Sequence, residues 1–488
     1  MLRLAARANP RRTQVSDGGS IPPPTGGWDA VSPLANMPED RAPVLDNWIP
    51  RQGFIEVRRG RKGHAGGMGS GVIDSVLVYN GLTSASSAMF AVTGGSIYDV
   101  SAGGNAVVST ETGLGNNRFQ SVNFTTTGGK FLWICNGTDA PRHFNGSVWA
   151  APSLSITTYS ASDIINVNAH KNRLWFVFKD TTVAGYLATG AVAGTVTNFE
   201  LGGFFTKGGY LVAMATITKD GGAGEDDLAA FLSSEGQIVI YQGTDPSSPA
   251  TWQKIGTYNV GRPIGRRCFT SVGAGVALIN IDGMIPIPEA LGVEREAIAS
   301  VAITKNINNA VNTAARNYVS NFGWEVTQYP KGTLVILNVP LAEGNTQHQY
   351  VMNALSGAWC RFLGWDANTF AVFRDNLYFG GNAGIVWQAD TSSLDGDAEI
   401  DAVGQTAYNY FKSRGVAKDF RLIQPLVTTD SDTVPAIGIS TDFKDNAVLA
   451  TPSASATAAA LFDEAIWDQD IFPVESRNIA DWAGVTGN

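Results

Sequence analysis

Short apolar runs separated by Gly, Asn, Asp or Ser set the texture of most of this chain. From about residue 63 they recur at 72–79, 88–92, 96–100, 130–135, 172–178, 228–232, 237–241, 276–281, 334–339, 348–352, 369–373, 376–379 and 385–388. Each has the length of a strand and is bounded by turn formers, so each is expected as a β-strand. So many short strands imply a sandwich, a barrel or a propeller. A shared shape selects among these: an apolar strand, a Gly-containing turn, and a second strand with an aromatic or long aliphatic side chain. Phe90-Ala-Val-Thr-Gly-Gly-Ser-Ile-Tyr98, Phe231-Leu-Ser-Ser-Glu-Gly-Gln-Ile-Val-Ile-Tyr241 and Leu377-Tyr-Phe-Gly-Gly-Asn-Ala-Gly-Ile-Val-Trp387 follow it, as does 278–287, with 132–144 as a long-turn variant. Copies recur about every 40–55 residues, the period of a propeller blade. The fold class is therefore mainly β, with residues 63–395 forming a β-propeller of roughly six to eight blades. A jelly roll or stacked β-domains are the competing architectures.

Three segments depart from this pattern. Residues 1–62 read as an extended N-terminal docking arm. Pro22, Pro23 and Pro24 favour polyproline backbone, and Pro33, Pro38, Pro43 and Pro50 bar a long helix. Leu34, Met37, Leu45, Trp48, Ile49, Phe54 and Ile55 are spaced along it as anchors. Within 288–318, Ile303, Ile307, Val311, Ala314, Ala315 and Tyr318 recur at helical spacing, which predicts a helix inserted into the propeller. It covers either its own blade or a neighbouring subunit. Residues 396–488 form a C-terminal β-rich interaction section, with strands expected at 407–411, 421–427 and 436–439 and an aromatic, acidic end.

Composition narrows the function. Charged residues are only 16% of the 488, against a usual ~25%. Such scarcity suits a subunit that covers much of its surface with neighbours. The net charge, 34 minus 43, is −9, which argues against a protein built to grip nucleic acid. Residues 1–12 hold four arginines around a short Ala/Leu run and make a poor signal peptide. No stretch approaches the ~18 apolar residues of a membrane helix, so no membrane insertion is expected. Cys135, Cys268 and Cys360 are odd in number and far apart. They fit buried thiols and folding in a reducing cytoplasm.

Candidate chemistry is sparse. His64, His143, His170 and His348 have no metal-ligand spacing, and no GxSxG, Walker or HExxH motif occurs. No catalytic residue and no cofactor is expected. The one candidate calcium site is the run with Asp220, Glu225, Asp226 and Asp227, which offers hard oxygen ligands beside glycines. Its ligand order is not that of an EF-hand, and the favoured reading is a solvated turn whose carboxylates cap backbone N–H groups. Two basic patches stand out. Arg58, Arg59, Arg61 and Lys62 lie where the arm meets the body, and Arg262, Arg266 and Arg267 lie in a Gly/Pro segment. Both are read as ionic latches between subunits, with phosphate contact as the alternative. Trp28, Leu45 and Trp48 of the arm complete the interface candidates. Trp28, Trp149, Trp252 and Trp387 have the aromatic faces that stack sugars, or else fill blade cores.

The segment Gly27-Trp-Asp-Ala-Val-Ser-Pro-Leu-Ala-Asn-Met-Pro-Glu-Asp-Arg-Ala-Pro-Val-Leu-Asp-Asn-Trp-Ile-Pro50, leading to Val57-Arg-Arg-Gly60, resembles the start of tail-nozzle proteins of short-tailed bacteriophages and related prophages. Asn136-Gly-Thr-Asp-Ala-Pro141, Phe144-Asn-Gly-Ser-Val-Trp149, Gly243-Thr-Asp-Pro246, Gly261-Arg-Pro-Ile-Gly-Arg-Arg267 and Asp282-Gly-Met-Ile-Pro286 are similar to that family in the same order. The resemblance spans about residues 25–390. It implies a structural virion protein made in the host cytoplasm, a propeller subunit of a homohexameric ring in the viral tail. That ring extends the DNA-ejection channel below the portal and adaptor proteins. It carries tail fibres or tailspikes and a plug or needle, and DNA meets it only in transit. The competing functions are a receptor- or carbohydrate-binding propeller of the tail tip and a propeller glycosidase or lyase. The last needs paired carboxylates facing one pocket.

Overall fold

The most apolar runs of the chain lie in the middle of sheets. Leu174, Trp175, Phe176, Val177 and Phe178 are consecutive and all buried. A strand with one wet face alternates apolar and polar residues; an unbroken apolar strand needs both faces covered. Here the cover is the neighbouring blade on each side. The structure, a computed structural model, describes residues 19–218, 227–272 and 275–414, and in the C-terminal part residues 418, 420, 422–423, 425–429, 435–444, 477–479 and 483–484. The chain falls into two units, Pro22–Ala407 and Met1–Ile21 with Tyr408–Asn488.

The larger unit is a seven-bladed β-propeller, within the six to eight blades expected. Blade 1 runs from its inner strand Ser75–Tyr79 through Ala88–Thr93 and Ser96–Asp99 to the edge strand Val107–Val108. Blades 2, 3 and 4 begin with Gln120–Thr126, Ile164–His170 and Leu211–Thr218 and step outward through antiparallel hairpins, and blade 3 adds Leu154–Ile156 as a parallel outer strand. Blade 5 has three strands, Phe269–Val272, Gly275–Asn280 and Gly283–Pro286. Pro286 and Pro288 end its pairing, and Pro288 opens the short helix Ile287–Ala290 instead. The predicted helical insert is resolved into that helix, Ile298–Val301 and Asn308–Tyr318. Ile298, Ile307, Val311, Ala314 and Ala315 turn their side chains into the core, so the insert covers its own propeller.

Blades 6 and 7 need the N-terminal segment. Blade 6 comprises Glu325–Tyr329, Leu334–Ala342, Thr346–Asn353 and Trp359–Phe362, and then takes Val44–Asp46 as a parallel strand, followed by Val403–Gln405. Blade 7 comprises Thr369–Phe373, Asn376–Gly380 and Val386–Ser392, and takes Gly60–Gly66 as its next strand. The expected arm over 1–62 is thus corrected for its second half, which is built into the body. Its strands pair with strands about 300 residues downstream in sequence, and the anchors Leu45 and Ile49 are buried against them, whereas Leu34 and Phe54 are exposed. Gly60 is required there, because a methyl group on it would collide with the backbone of Leu394.

Between successive blades lie layers of aromatic and aliphatic side chains. Blades 1 and 2 share Phe90, Leu132, Phe144 and Trp149; blades 2 and 3 share Trp133 and Phe176; blades 3 and 4 share Trp175, Phe231, Tyr241 and Trp252. Burying one such side chain contributes about 1.5–3 kcal/mol. The stability of the ring is thus distributed over every interface. Cys135, Cys268 and Cys360 are free and fully buried in these layers. Burial pushes all three thiols up, that of Cys268 to about 12. All three should resist an alkylating reagent in the native protein and react after denaturation. Labelling of any of them in the native state, read by mass spectrometry, contradicts this packing.

In the smaller unit, Leu422–Ile423 pairs with Ala483–Gly484 and Val427–Thr429 with Arg477–Ile479. The strands expected at 407–411 and 436–439 do not form. Phe411 and Lys412 both have positive φ, which makes a turn there. Most of the aromatic, acidic end lies outside the described residues.

Candidate binding site on the propeller axis

Seven inner strands surround the axis, and two of them are rich in polar residues, Gln120-Ser-Val-Asn-Phe-Thr-Thr126 in blade 2 and Ile164-Ile-Asn-Val-Asn-Ala-His170 in blade 3. An inner strand turns its free edge to the axis, and its side chains alternate between the two neighbouring blades, as Val167 does toward blade 2 and Asn166 and Asn168 toward blade 4. Together the seven enclose a cavity of about 340 Å³. Its polar lining includes Gln120, Ser121, Asn166, Asn168, Thr327 and Arg266.

At the N-terminal ends of the inner strands, Arg267 reaches across several blades. Its Nη1 donates to Glu325 Oε2 at 2.7 Å and to Thr369 Oγ1 at 3.1 Å. Its Nη2 donates to the carbonyl of Asp74 at 3.1 Å, to Ser75 Oγ at 2.9 Å and to the carbonyl of Phe119 at 3.1 Å. One guanidinium from blade 5 therefore holds blades 6, 7 and 1 and the approach to blade 2. Glu325 is saturated in turn: Oε1 accepts the backbone N–H of Phe370 at 2.6 Å, and Oε2 also accepts from Thr369 Oγ1 at 3.2 Å. A carboxylate so engaged serves as a tie. Blades 3 and 4 are joined lower on the axis by Asn166 Oδ1, which accepts from the backbone N–H of Met214 at 3.1 Å, and by Asn168 Nδ2, which donates to its carbonyl at 2.8 Å.

The basic patches divide on inspection. Arg58 is an internal lock, with its side chain only 1% exposed. Its Nη1 and Nη2 donate to the two carboxylate oxygens of Asp395 at 2.9 and 2.5 Å. The remaining N–H groups reach Asn47 Oδ1, Arg59 O and Leu363 O. The guanidinium also lies 4.8 Å over the Trp365 ring. Arg61 lies 4.4 Å over the Trp387 ring, whereas Arg59 and Lys62 are exposed. Arg262 pairs with Glu235 at 2.5 Å, and Arg266 is exposed. The expected intersubunit roles of Arg58 and Arg267 are therefore corrected: both are spent within one chain. So are Trp28 and Leu45, which are buried, Trp28 with its edge on Tyr350. Trp48 is half-buried against the same core. Trp149 packs on Phe90 and Trp252 stacks between Tyr241 and Trp175, so neither offers a face to a sugar.

Of the candidate calcium ligands, Asp220, Glu225 and Asp226 lie outside the described residues. Asp227 accepts from Thr218 Oγ1 at 2.9 Å and faces Lys171 at 3.7 Å. Among the described residues, no group of three His, Cys, Asp or Glu is placed to hold a metal, and no helix is long and apolar enough to cross a membrane.

At the C-terminal end of the blade 3 inner strand, His170 is buried, with Nδ1 3.2 Å from Thr216 Oγ1 and its ring edge on Trp252. Burial, with Lys171 beside it, holds its pKa down to about 4. An unfolded histidine titrates near 6.5. The unfolded chain therefore takes up this proton first. The stabilising effect is complete above about pH 6.5 and is lost as pH falls toward 4. His170→Gln should flatten the decline of the urea midpoint over that interval; an unchanged slope contradicts the assignment.

No family model matches this chain, and no curated protein matches it. Solved structures do. It is similar to BBS1N in complex with ARL6DN: in a lead-soaked crystal with 9% identity, 71% of this chain and 100% of that chain covered and a TM-score of 0.41, and in a mercury-soaked crystal with 62% of that chain covered and a TM-score of 0.28. The extracellular domain of a putative one-component system from B. thetaiotaomicron is 9% identical over 67% of this chain and 40% of that one, with a TM-score of 0.32. YCF48 from Cyanidioschyzon merolae is 10% identical over 62% and 79%, with a TM-score of 0.27.

Proposed function

We propose that this chain is a structural scaffold, the nozzle subunit of a short bacteriophage tail, which docks side by side with copies of itself in a ring below the portal and adaptor. The observation that carries this reading is the use made of the charged side chains in the nozzle-like segments. Asp46 forms a bidentate pair with Arg361 at 2.7 and 2.6 Å, Asp139 accepts from Asn136 at 2.7 Å, Asp282 pairs with Arg295 at 2.6 Å, and Arg267 ties blades together. These residues serve to hold a shape. A glycosidase would instead keep two carboxylates free on one pocket, and the axial carboxylate, Glu325, is bound to its neighbours.

The axis of the propeller is not the DNA path in this proposal. Arg267 crosses it, and a cavity of about 340 Å³ is the size of a small molecule. DNA would pass through the space that several copies enclose, and fibres and a plug would attach to the outside of that ring. Sedimentation of the full chain tests the idea. It should give a single species near six times 51.6 kDa, with DNA binding that vanishes at moderate salt. A monomer at micromolar concentration, or tight salt-resistant DNA binding, overturns it.

A further inference from the structure

The axial cavity contains one arginine that the fold does not use. Nearby blade ends carry Arg118, Arg142, Arg262, Arg267 and Arg295, each paired with a carboxylate: Glu343, Glu111, Glu235, Glu325 and Asp282 respectively. Arg266 has no such partner among the described residues. Its one hydrogen bond is a long contact from Nη1 to the carbonyl of Asn136 at 3.5 Å. It is exposed, and it lines the cavity. In a protein with so few charges, a lone guanidinium at the mouth of a polar cavity is a ready partner for an anion.

The rest of the lining defines the anion's body. Gln120 and Ser121 make no side-chain hydrogen bond within the described chain, and Ser121 is exposed to the same space. Asn166 uses its Oδ1 on Met214 and keeps its N–H donors for another partner. Thr327 makes only a 3.4 Å contact to Glu325. Amides and hydroxyls with spare capacity match hydroxyl groups, and the two other charged groups that line the cavity, Arg267 and Glu325, are paired with each other. The volume suits a single sugar ring, at the small end of the ~300–1,000 Å³ usual for ligand pockets. We propose that this cavity is a binding site for a sugar acid, with the carboxylate on Arg266 and the ring hydroxyls on Gln120, Ser121, Asn166 and Thr327. The site is independent of the ring assembly proposed above. Its ligand is either a free uronic acid or a uronic acid residue of an acidic polysaccharide.

Calorimetric titration of the full-length protein tests the site, with glucuronate and glucose as the matched pair and an oligosaccharide containing glucuronate as the second arm. Binding of glucuronate, or of the oligosaccharide alone if the polymer is the ligand, should exceed that of the neutral sugar by about tenfold, the value of a charge-assisted contact. Arg266→Gln should remove that preference. Ser121→Phe, which fills the cavity from an exposed position, should remove binding altogether. Both positions are at the surface, and unchanged circular dichroism confirms folding. Absence of binding to both acids at millimolar concentration overturns the proposal, as does equal binding of glucose and glucuronate, or affinity unaffected by Arg266→Gln.

Discussion

Arg267→Met is expected to lower the stability of the propeller by about 3–5 kcal/mol, the cost of leaving a buried charge without its partner. Five hydrogen bonds start from that guanidinium, and they reach blades 6, 7 and 1 and the approach to blade 2. Removing it strands the Glu325 carboxylate, whose side chain is 10% exposed, beside an apolar side chain. Arg267→Met combined with Glu325→Leu should recover much of the loss, because the stranded charge is then gone. Arg262→Met supplies the control. Arg262 also has a carboxylate partner, but it is 64% exposed, and a surface pair contributes about 0–1 kcal/mol. Urea midpoints of the three variants decide the matter. Equal small shifts for Arg262→Met and Arg267→Met would show that Arg267 is not a tie.

Arg58→Met should produce a loss of the same order, about 3–5 kcal/mol, but at another place. Arg58 precedes the strand Gly60–Gly66, and its partner Asp395 follows the strand Val386–Ser392 with which that strand pairs. The lock therefore sits on the seam where the two ends of the propeller meet. Asp395 also accepts the indole N–H of Trp365 at 3.0 Å, so the seam and the blade 6 core share one carboxylate. Arg58→Lys should lose most of the same stability, since a single ammonium cannot reproduce five N–H groups in a fixed fork. Hydrogen exchange should quicken first over 60–66 and 386–392 in both variants. Uniform quickening over all seven blades would contradict a local seam.

The sequence foretold the strands with buried faces on both sides, and the apolar inner strands Ser75–Tyr79 and Thr369–Phe373, but missed the more polar inner strands. Runs such as 130–135, 172–178 and 237–241 are apolar enough to be read directly. Gln120–Thr126 and Ile164–His170 are diluted with Asn, Ser and Thr where they line a polar cavity. The same polarity that hid them from a hydrophobic pattern is what makes the site. The spacing of Asn166 and Asn168, two apart and so on one face of a strand, was the signal available. The closing strands were hidden for another reason. Val44–Asp46 and Gly60–Gly66 lie among prolines and glycines, and their partners are more than 300 residues away. Nothing local distinguishes a strand that completes a remote sheet from an arm lying over a surface. Nor does spacing tell which arginine finds a carboxylate. Arg58 and Arg59 are adjacent in the link between two strands, yet one turns inward to Asp395 and the other is left in water. Arg266 and Arg267 divide in the same way.

Electron microscopy of the purified full-length protein bears most directly on the central claim, that a propeller sealed by its own N-terminal segment is a building block of a larger ring. The account predicts closed six-fold particles in which every subunit is a seven-bladed disc with residues 60–66 in its last blade. Dispersed single discs at micromolar concentration, or discs whose last blade lacks that strand, would contradict it.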